Sequence, residues 1–399
     1  MDAFFASVEE KLNPHLAGKP LAVGGDRSRR GVVSAANYPA RAFGIHAGMP
    51  IAEAVRLCPE ATFLEGDPKK YLHVSLQVLD ALKEFTPIIE PFSIDEAFLD
   101  LAESPRIVDA IRAGGVDSHD PAAVLEAAVE TARAMQRAVW SRVGLSATIG
   151  LAPNKYIAKM GSGLEKPRGL TLLTQERYRE VFWPRPVDVL WGIGEKTSVA
   201  LGKLGIRNVG KLAAFPRELL TYHFGLNGDR LRDAARGDDD APVIPFYEGM
   251  AVKSMGHEFT LEKDLADRVR LGAHLLRLSD QVGRRMRQDG YRGRVVAVKF
   301  RDASFKTTIR QRALPEITDD ETQIYKVAAG LLDDHWDGGP LRLIGVSMSG
   351  LVAGAGVQHE LFHADAHRKQ MTEAVDALRD KFGDSAVVRA GALRWGSDE

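Results

Sequence analysis

Apolar and polar residues alternate in two different ways over residues 1–170. Short apolar runs such as "KPLAVGG" and "LSATIGLAP" predict strands, whereas the spacing of apolar residues in "PKKYLHVSLQVLDALKEF" and "DPAAVLEAAVETARAMQRAVWSRVG" predicts helices. The second of these helices opens on Asp120 followed by Pro121, a favourable N-cap and first-turn pair. Strands and helices in this order predict a mixed sheet with helices packed on it.

Glycine interrupts the pattern in the next stretch. Residues 171–240 predict short helices separated by glycines, as in "LWGIGEKTSVALGKLGI" and "HFGLNGDRLRDAARG". The acidic, proline-bearing run "GDDDAPVIP" predicts a linker, which we place at residues 241–250. We therefore expect a small all-α domain followed by a connecting segment.

Residues 251–350 return to strands alternating with helices. The predicted order is βαββαβ, with helices from about Asp264 and Thr318 and strands over "GRVVAVKFR", "SFKTTIRQRAL" and "LRLIGVSMSG". The tail, residues 351–399, contains the Gly/Ala-rich run "VAGAGV", then "QHELFH", then an amphipathic helix around "MTEAVDALRDKF". The whole chain is therefore expected to be multidomain, with α/β and α+β parts.

Composition supports an ordinary globular protein of several domains, since the 399 residues are 45% hydrophobic and 27% charged. No apolar run approaches the ~20 residues that span a bilayer. Cys58 is the only cysteine, which rules out an intrachain disulfide and favours a reducing cytoplasm. The net charge is −1, but residues 251–315 carry fifteen Lys and Arg against seven Asp and Glu. Such a local excess is typical of a module that binds phosphates, although a solvated basic surface would have the same composition.

Asp95 and Glu96 are adjacent carboxylates inside the otherwise apolar stretch "FSIDEAFLDL". Partly buried charges need a partner, and a divalent cation is an effective one. Neighbouring side chains in a regular strand point to opposite faces, so both carboxylates reach one site only across a kink or turn. A solvated turn is the alternative for such a pair taken alone.

The stretch "SFKTTIRQRAL" places a row of cations on one face of a predicted strand, at intervals of about 6.8 Å. A row of this pitch suits contact with a nucleic-acid backbone rather than with bases. An exposed polar face of a half-buried sheet is the alternative. The residues of the row are Lys306, Thr308, Arg310 and Arg312.

Three further groups suit phosphate binding. In "LWGIGEKTSVALGKLGI", Gly192 and Gly194 allow a phosphate to approach the amides that open the next helix, and Lys196 adds positive charge. This pattern fits a DNA-binding helix–hairpin–helix. A plain turn between two helices is the alternative. Tyr38 and Arg41 are three residues apart and share a helix face that suits a triphosphate. The stretch "NKYIAKMGSGLEKPRG" adds three lysines, each of which is more often a surface charge when considered singly: Lys155, Lys159 and Lys166.

Seven of these motifs, in this order and spacing, resemble the Y family of translesion DNA polymerases, and within it the DinB branch. They run over nearly the whole chain: "MDAFFASVEE", "ANYPARAFGI", "FSIDEAFLDL", "IGLAPNKYIAKM", "EKPRG", "GIGEKT" and "KSMGHEFTL". The resemblance implies a right-hand polymerase. Its parts would be a palm over 1–170 with fingers inserted at about 10–75, a thumb over 171–240, the linker, a little-finger domain over 251–350 and a clamp-binding tail over 351–399.

The same resemblance implies roles for individual residues. Asp95 and Glu96 would bind two Mg²⁺ ions, with Mn²⁺ as a substitute, and Phe5 would be the steric gate that rejects a ribose 2′-OH. Three residues would hold the incoming deoxynucleoside triphosphate: Tyr38, Arg41 and Lys166. Within "QHELF", the clamp-binding residues would be Gln358, Leu361 and Phe362. The partners would be primer–template DNA and the sliding clamp, bound by a monomer.

The predicted activity is template-directed primer extension of low fidelity without proofreading, by two-metal phosphoryl transfer. In the family, an apolar strand ending in a metal-binding Asp precedes the Met that Met1 matches. We therefore expect that strand and its carboxylate to lie upstream of the sequence given, with Asp2 only a weak substitute ligand. One alternative is a catalytically impaired DNA- and clamp-binding accessory protein of the same fold. Another is an unrelated helix–hairpin–helix DNA-binding protein.

Overall fold

The computed structural model describes residues 1–28, 30–246, 252–353 and 366–395. It contains two compact units. The first consists of residues 1–28 and 32–250, and the second of residues 29–31 and 251–399. No helix within these described ranges has the length and apolar character needed to cross a membrane.

The first unit is rich in helices, several of which begin where the sequence provides a cap. Asp67 and Asp120 accept hydrogen bonds from amides of the first turn of their helices, and each is followed by proline. Its helices are α1 (Phe4–Leu12), α2 (Tyr38–Ala42), α3 (Ile51–Leu57), α4 (Pro68–Leu82), α5 (Pro105–Arg112), α6 (Pro121–Val143), α7 (Lys155–Gly161), α8 (Gln175–Phe182), α9 (Glu195–Lys203), α10 (Val209–Ala214), α11 (Arg217–Phe224) and α12 (Leu226–Arg236).

The strands of the first unit are short and form three small sheets. They are β1 (Leu21–Val23), β2 (Ala35–Ala36), β3 (Thr62–Leu64), β4 (Ile89–Ser93), β5 (Glu96–Leu99), β6 (Ile149–Leu151) and β7 (Leu170–Leu172). One sheet has the order β2-β1-β3, and the other two are the antiparallel pair β4-β5 and the parallel pair β6-β7. The expected mixture of parallel and antiparallel pairing is therefore present.

Apolar faces of α1, α4 and α6 form one core of this unit, together with β1 and β4. Phe4, Tyr71, Val74 and Met135 are among its buried side chains. A second core, over residues 156–235, joins α7 and α8 to the short helices that follow. The short helices at 171–240 that the glycines predicted therefore share one core with α7.

The second unit has the βαββαβ order that the sequence predicted. Its elements are β8 (Ser254–Leu265), α13 (Arg268–Gln288), β9 (Tyr291–Asp302), β10 (Thr307–Thr318), α14 (Glu321–His335) and β11 (Leu341–Ser349), followed by β12 (Val352–Ala353) and α15 (Ala366–Phe382). Both main helices start later than predicted, because β8 continues to Leu265 and β10 to Thr318. Asp267 and Asp320 then act as the helix N-caps.

The sheet of this unit has the order β10-β9-β11-β8, with neighbouring strands antiparallel. One face packs on α13 and α14. Val296, Val298 and Phe300 of β9 contribute to that core with Leu275 and Ile324 of the two helices. Strand β10, which carries the predicted row of cations, lies at one edge of the sheet.

Candidate active site

A two-residue turn between β4 and β5 brings the acidic pair together. Ile94 and Asp95 form the turn, and Ser93 pairs opposite Glu96 in the antiparallel register. The Ser93 hydroxyl lies 3.0 Å from Asp95 Oδ1 and 3.4 Å from Glu96 Oε2. Both carboxylates therefore reach one hydroxyl, which meets the requirement for a turn that the sequence set.

Lysines of α7 face this hairpin. Asn154 caps the helix by accepting a hydrogen bond from the amide of Ile157 (2.9 Å), and Lys155 and Lys159 then lie one turn apart on one face. Lys155 Nζ lies 2.9 Å from a carboxylate oxygen of Glu90, a pair that is largely buried in the hairpin. Neither partner could be predicted from the residues around these lysines in the sequence.

Lys159 binds the acidic pair directly, because its ammonium contacts Glu96 Oε1. The same ammonium lies 5.6 Å from the centroid of the Phe92 ring. Burial alone would raise the pKa of Glu96, but the hydrogen bond and charge of Lys159 outweigh it, and the amino group of Met1 and Lys166 add to the effect. The net result is a pKa of Glu96 below its usual value.

A cleft of about 560 Å³ lies beside the acidic pair. The charged side chains that line it include Asp95, Glu96, Lys159 and Lys166, and apolar side chains of β5, β6, α4 and α6 also line it. This cleft is therefore a concave site in which two carboxylates and two ammonium groups converge.

The first two residues lie at the edge of this cleft. The amino group of Met1 donates to the main-chain carbonyl of Asp95 (2.7 Å), and the amide of Asp2 donates to the carbonyl of Ser146 (3.2 Å). The Asp2 carboxylate is buried and accepts hydrogen bonds from Ser146 Oγ, Thr148 Oγ1 and the amide of Arg168. The expected role of this carboxylate was that of a weak substitute metal ligand, whereas in the structure it has three protein donors.

The donor chemistry of the acidic pair suits a divalent ion. Among the residues that the structure describes, no group of three or more His, Cys, Asp or Glu side chains is placed to hold a metal. Mg²⁺ in nucleotide enzymes is commonly held by one or two carboxylates together with substrate phosphates. Asp95 and Glu96, which share the Ser93 hydroxyl, therefore fit Mg²⁺ bound together with a nucleotide.

Phe4 and Phe5 point in different directions at the start of α1. Phe4 is buried in the core, whereas the Phe5 ring packs against the ring of Tyr71, with centroids 4.3 Å apart. The Tyr71 hydroxyl donates to Glu9 Oε1 (2.7 Å), and burial together with this hydrogen bond raises the pKa of Tyr71. No motif in the sequence indicated Tyr71 as the support of the Phe5 ring.

Tyr38 and Arg41 do share one side of α2. Asn37 caps this helix through the amide of Ala40 (3.0 Å), and the Arg41 guanidinium carbon lies 4.9 Å from the centroid of the Tyr38 ring. Burial raises the pKa of the Tyr38 hydroxyl, and the negative charge of Asp2 raises it further. This electrostatic effect links α2 to the residues at the edge of the cleft.

The loop that carries Lys166 is held close to the acidic pair. Its ammonium charge acts on the amino group of Met1 and on Glu96, whose pKa values it lowers. Gln136 Nε2 donates to the carbonyl of Gly169 at 2.8 Å. The guanidinium of Arg168 lies over the Trp140 ring, 5.0 Å from its centroid. Lys166 therefore projects from an anchored loop into the cleft.

Sequence comparisons identify the family. Residues 1–163 match the impB/mucB/samB family, and residues 252–361 match the C-terminal domain of that family. DNA polymerase IV of Moorella thermoacetica is 38% identical over 395 residues, which cover 98% of this chain and 94% of that protein. DNA polymerase IV 1 of Bacillus subtilis is 33% identical over 401 residues, which cover 99% of this chain and 92% of that protein. The chain belongs to the Y family of DNA polymerases.

The fold agrees with this membership. A solved Y-family DNA polymerase chimera, Dbh-Dpo4(243-245)-Dbh, matches with a TM-score of 0.74 and 26% sequence identity. The match covers 88% of this chain and 97% of that chain. The predicted multidomain fold of a Y-family polymerase, with α/β and α+β parts, is therefore confirmed.

In this Y-family chain, the predicted helix–hairpin–helix glycines lie in the loop that leads into α9. Gly192 has φ +91°, a conformation that L side chains rarely adopt, and Gly194 is the N-cap residue of the helix. Lys196 lies exposed in the first turn. The three residues thus form an accessible helix N-terminus, and their contact with DNA stays a prediction.

The basic row of β10 lies on the helix-bearing side of the sheet edge. Arg310 pairs opposite Val298, and Arg312 pairs opposite Val296, which are core residues beneath the helices. Directly paired residues share a face, so Thr308, Arg310 and Arg312 project toward that side. Lys306 lies just before the strand, in the turn that follows β9.

Salt bridges distinguish the members of this row. Arg312 pairs with Asp334 of α14 at 2.9 Å, whereas Arg310 donates to the main-chain carbonyl of Ile309 at 3.0 Å. The opposite face of the sheet carries two cations that the sequence analysis did not select, Lys299 and Arg301. DNA binding by the row stays a prediction. The clamp-binding residues Gln358, Leu361 and Phe362 lie outside the described residues.

Proposed function

We propose that this chain catalyses template-directed extension of a DNA primer, with the low fidelity of translesion synthesis and without proofreading. The observation that carries the proposal is the β4–β5 hairpin, which brings Asp95 and Glu96 together in the lining of a cleft, in a chain that belongs to the Y family of DNA polymerases. In the reaction, the primer 3′-oxygen attacks the α-phosphorus of a deoxynucleoside triphosphate. A new phosphodiester bond forms, and the bond to the leaving pyrophosphate breaks.

Divalent ions held by Asp95 and Glu96 would supply the positive charge that activates the 3′-OH and neutralises pyrophosphate. We propose Mg²⁺ as the physiological ion, with Mn²⁺ as a substitute. Other side chains would bind and select the nucleotide. Lys166, Tyr38 and Arg41 would bind the triphosphate, and the Phe5 ring would occupy the volume that a ribose 2′-OH needs. No observation favours the alternative of an impaired accessory protein.

Primer extension tests the proposal. Asp95→Ala and Glu96→Gln should each reduce kcat by more than about a hundredfold, because a metal ligand should matter more than the residues around it. The matched control is Asp109→Ala, which removes an exposed carboxylate of α5 that pairs with Arg112 at 3.9 Å. Chelation of divalent ions by EDTA should stop extension by the unchanged chain. Equal rates for the Asp95 and control variants would contradict the proposal.

We further propose that "QHELF" binds the sliding clamp, with Leu361 and Phe362 inserted into an apolar groove. The support is the sequence motif, following β12 in the chain. Replacing both residues by Ala should abolish capture by the clamp and leave distributive extension unchanged. Met371 and Leu378, which are exposed apolar residues of α15, provide the matched control pair. Retained clamp binding would contradict the assignment.

The proposed partners are primer–template DNA, deoxynucleoside triphosphates and the clamp, and the proposed state is a monomer. The proposed location is the cytoplasm. Its support is the single cysteine, Cys58, which is buried and forms no disulfide among the described residues.

A further inference from the structure

Asp2 connects three segments of the first unit through one carboxylate. Oδ2 accepts hydrogen bonds from Ser146 Oγ (2.9 Å) and from the amide of Arg168 (3.1 Å), and Oδ1 accepts one from Thr148 Oγ1 (2.7 Å). The residue is only 2% exposed. A buried carboxylate with several donors is a rigid connection, since losing any donor leaves a charge less well compensated.

The backbone at Arg168 depends most on the hydrogen bond to Asp2. Its φ is +61°, a left-handed conformation that costs a non-glycine residue about 1 kcal/mol or more. A conformation of this kind persists only where neighbouring contacts enforce it. The Asp2 carboxylate binds the Arg168 amide, while Gln136 holds the adjacent Gly169 carbonyl and Trp140 contacts the Arg168 guanidinium.

Lys166 lies two residues before Arg168 and depends on the same loop. Its side chain is exposed to the cleft, where its charge acts on Glu96. A flexible ammonium is oriented by the main chain that carries it, and small displacements at a reacting site reduce rates strongly. Fixing Arg168 therefore fixes where the Lys166 ammonium can reach.

We infer that Asp2 is a positioning residue for the incoming nucleotide. It holds the Lys166 loop in its left-handed turn, so that Lys166 stays beside the acidic pair and binds the triphosphate. The inference rests on the proposed role of Lys166. It replaces the expectation of Asp2 as a weak metal ligand, because Ser146, Thr148 and Arg168 already occupy three of the roughly four acceptor positions of this carboxylate.

A double-mutant cycle separates this role from the others. Asp2→Asn and Asp2→Ala should raise the KM and the dissociation constant for a deoxynucleoside triphosphate by about tenfold, equivalent to ~1.4 kcal/mol. In a Lys166→Ala background the same changes should have little further effect on nucleotide affinity. An equal loss in both backgrounds would overturn the inference, because it would show that Asp2 acts without Lys166.

Titration with Mn²⁺ alone, followed by electron paramagnetic resonance, tests the metal-ligand alternative. Asp2→Asn should leave Mn²⁺ affinity unchanged, whereas Glu96→Gln should lower it. Weaker Mn²⁺ binding by Asp2→Asn would overturn the inference. Thr174→Ala, which removes the N-cap of α8, controls for a general loss of stability and should leave both affinities unchanged.

Hydrogen exchange gives a measurement that does not depend on the proposed role of Lys166. Asp2→Asn should speed exchange of the Arg168 amide, and Thr174→Ala should not. If Lys166→Ala itself leaves nucleotide affinity unchanged, the triphosphate role of Lys166 is wrong, and exchange at Arg168 alone decides whether Asp2 holds the loop. Unchanged exchange would overturn that claim. If Asp2→Ala does not fold, Thr148→Val replaces it, since this change removes one of the three donors and leaves the carboxylate in place.

Discussion

The rings of Phe5 and Tyr71 are stacked, with centroids 4.3 Å apart and planes inclined by 17°. Tyr71 is buried, and its hydroxyl donates to Glu9, which also binds the ammonium of Lys70 at 3.0 Å. The Phe5 ring therefore rests on an aromatic side chain that is itself anchored at its far end. A ring supported in this way is well suited to exclude a substituent by volume.

Phe5→Ala should relax discrimination against ribonucleotides, because it empties the volume proposed to exclude the 2′-OH. We expect the ratio of kcat/KM for deoxy- and ribonucleotides to fall by about tenfold or more, equivalent to ~1.4 kcal/mol. Single-nucleotide primer extension measures this ratio. Phe4→Leu is the control, since Phe4 is buried in the core and should affect stability rather than discrimination. An unchanged ratio for Phe5→Ala would remove the steric-gate assignment.

Replacing Tyr71, which supports the Phe5 ring, should also lower the discrimination against ribonucleotides, but by less than Phe5→Ala does. Tyr71→Leu removes the stacked ring and should lower the discrimination ratio less than Phe5→Ala does. Tyr71→Phe keeps the ring and removes only the hydrogen bond to Glu9, so it should preserve most of the discrimination. If Tyr71→Leu leaves the ratio unchanged, the Phe5 ring does not need this support.

The sequence motifs predicted which residues form the candidate site. The contacts that support those residues come from distant parts of the chain and could not be predicted. The family resemblance predicted Asp95 and Glu96 as metal ligands, and the need for a turn between them followed from strand geometry. Tyr71 lies on a different helix from Phe5, and no local spacing connects the two. From its neighbours in sequence, Lys159 could be predicted only as a surface charge. Its contact with Glu96 depends on how α7 packs on the β4–β5 hairpin.

In the second unit, too, the local pattern predicted some features, whereas others depend on strand pairing. Alternation along "SFKTTIRQRAL" correctly placed Thr308, Arg310 and Arg312 on one side of a strand. Which side the helices cover could not follow from that strand alone, because it is set by the register of Arg310 with Val298. The late start of α13 has the same cause, since the pairing of Leu265 with Leu341 extends β8 beyond its local pattern.

Lys159→Met should strengthen binding of a divalent ion. The Lys159 ammonium compensates the charge of Glu96 and would compete with a cation for the same oxygen. The pair is only partly buried, so we expect a gain of ~1 kcal/mol, or about fivefold in affinity. Mn²⁺ titration measures this gain. Lys155→Met is the matched control, because Lys155 lies on the same face of α7 but pairs with Glu90. Weaker Mn²⁺ binding by Lys159→Met would show that the lysine assists the ion instead.

Lys306→Ala and Arg310→Ala should each weaken DNA binding about equally on all sequences. A lost phosphate contact should reduce the slope of log affinity against log salt by about one unit. Arg312→Ala is the matched comparison in the same row, and it should have a smaller effect because Asp334 already compensates its charge. Fluorescence anisotropy over a range of salt concentrations measures the slopes. A sequence-selective loss, or an unaltered slope for Arg310→Ala, would show that the row does not contact phosphates.

His274 should make the second unit less stable as the pH falls below neutrality. It is 7% exposed and lies against the Phe259 ring, with centroids 5.7 Å apart. Burial, with the charges of Arg270 and Arg277, lowers its pKa from 6.5 to about 4. Between these values the unfolded chain binds a proton that the folded chain does not, so the free energy of unfolding decreases as the pH drops.

The size and origin of this effect can be measured together. Full protonation of the unfolded state should cost the fold at most about 3 kcal/mol between pH 7 and pH 4. Chemical denaturation at several pH values should therefore give a flatter pH dependence for His274→Phe than for the unchanged chain, because the variant has no imidazole to protonate. His335→Phe removes an exposed histidine of the same unit and should keep the original slope. Equal slopes for His274→Phe and the unchanged chain would mean that acid destabilises this unit through its carboxylates, and that the buried imidazole contributes nothing to it.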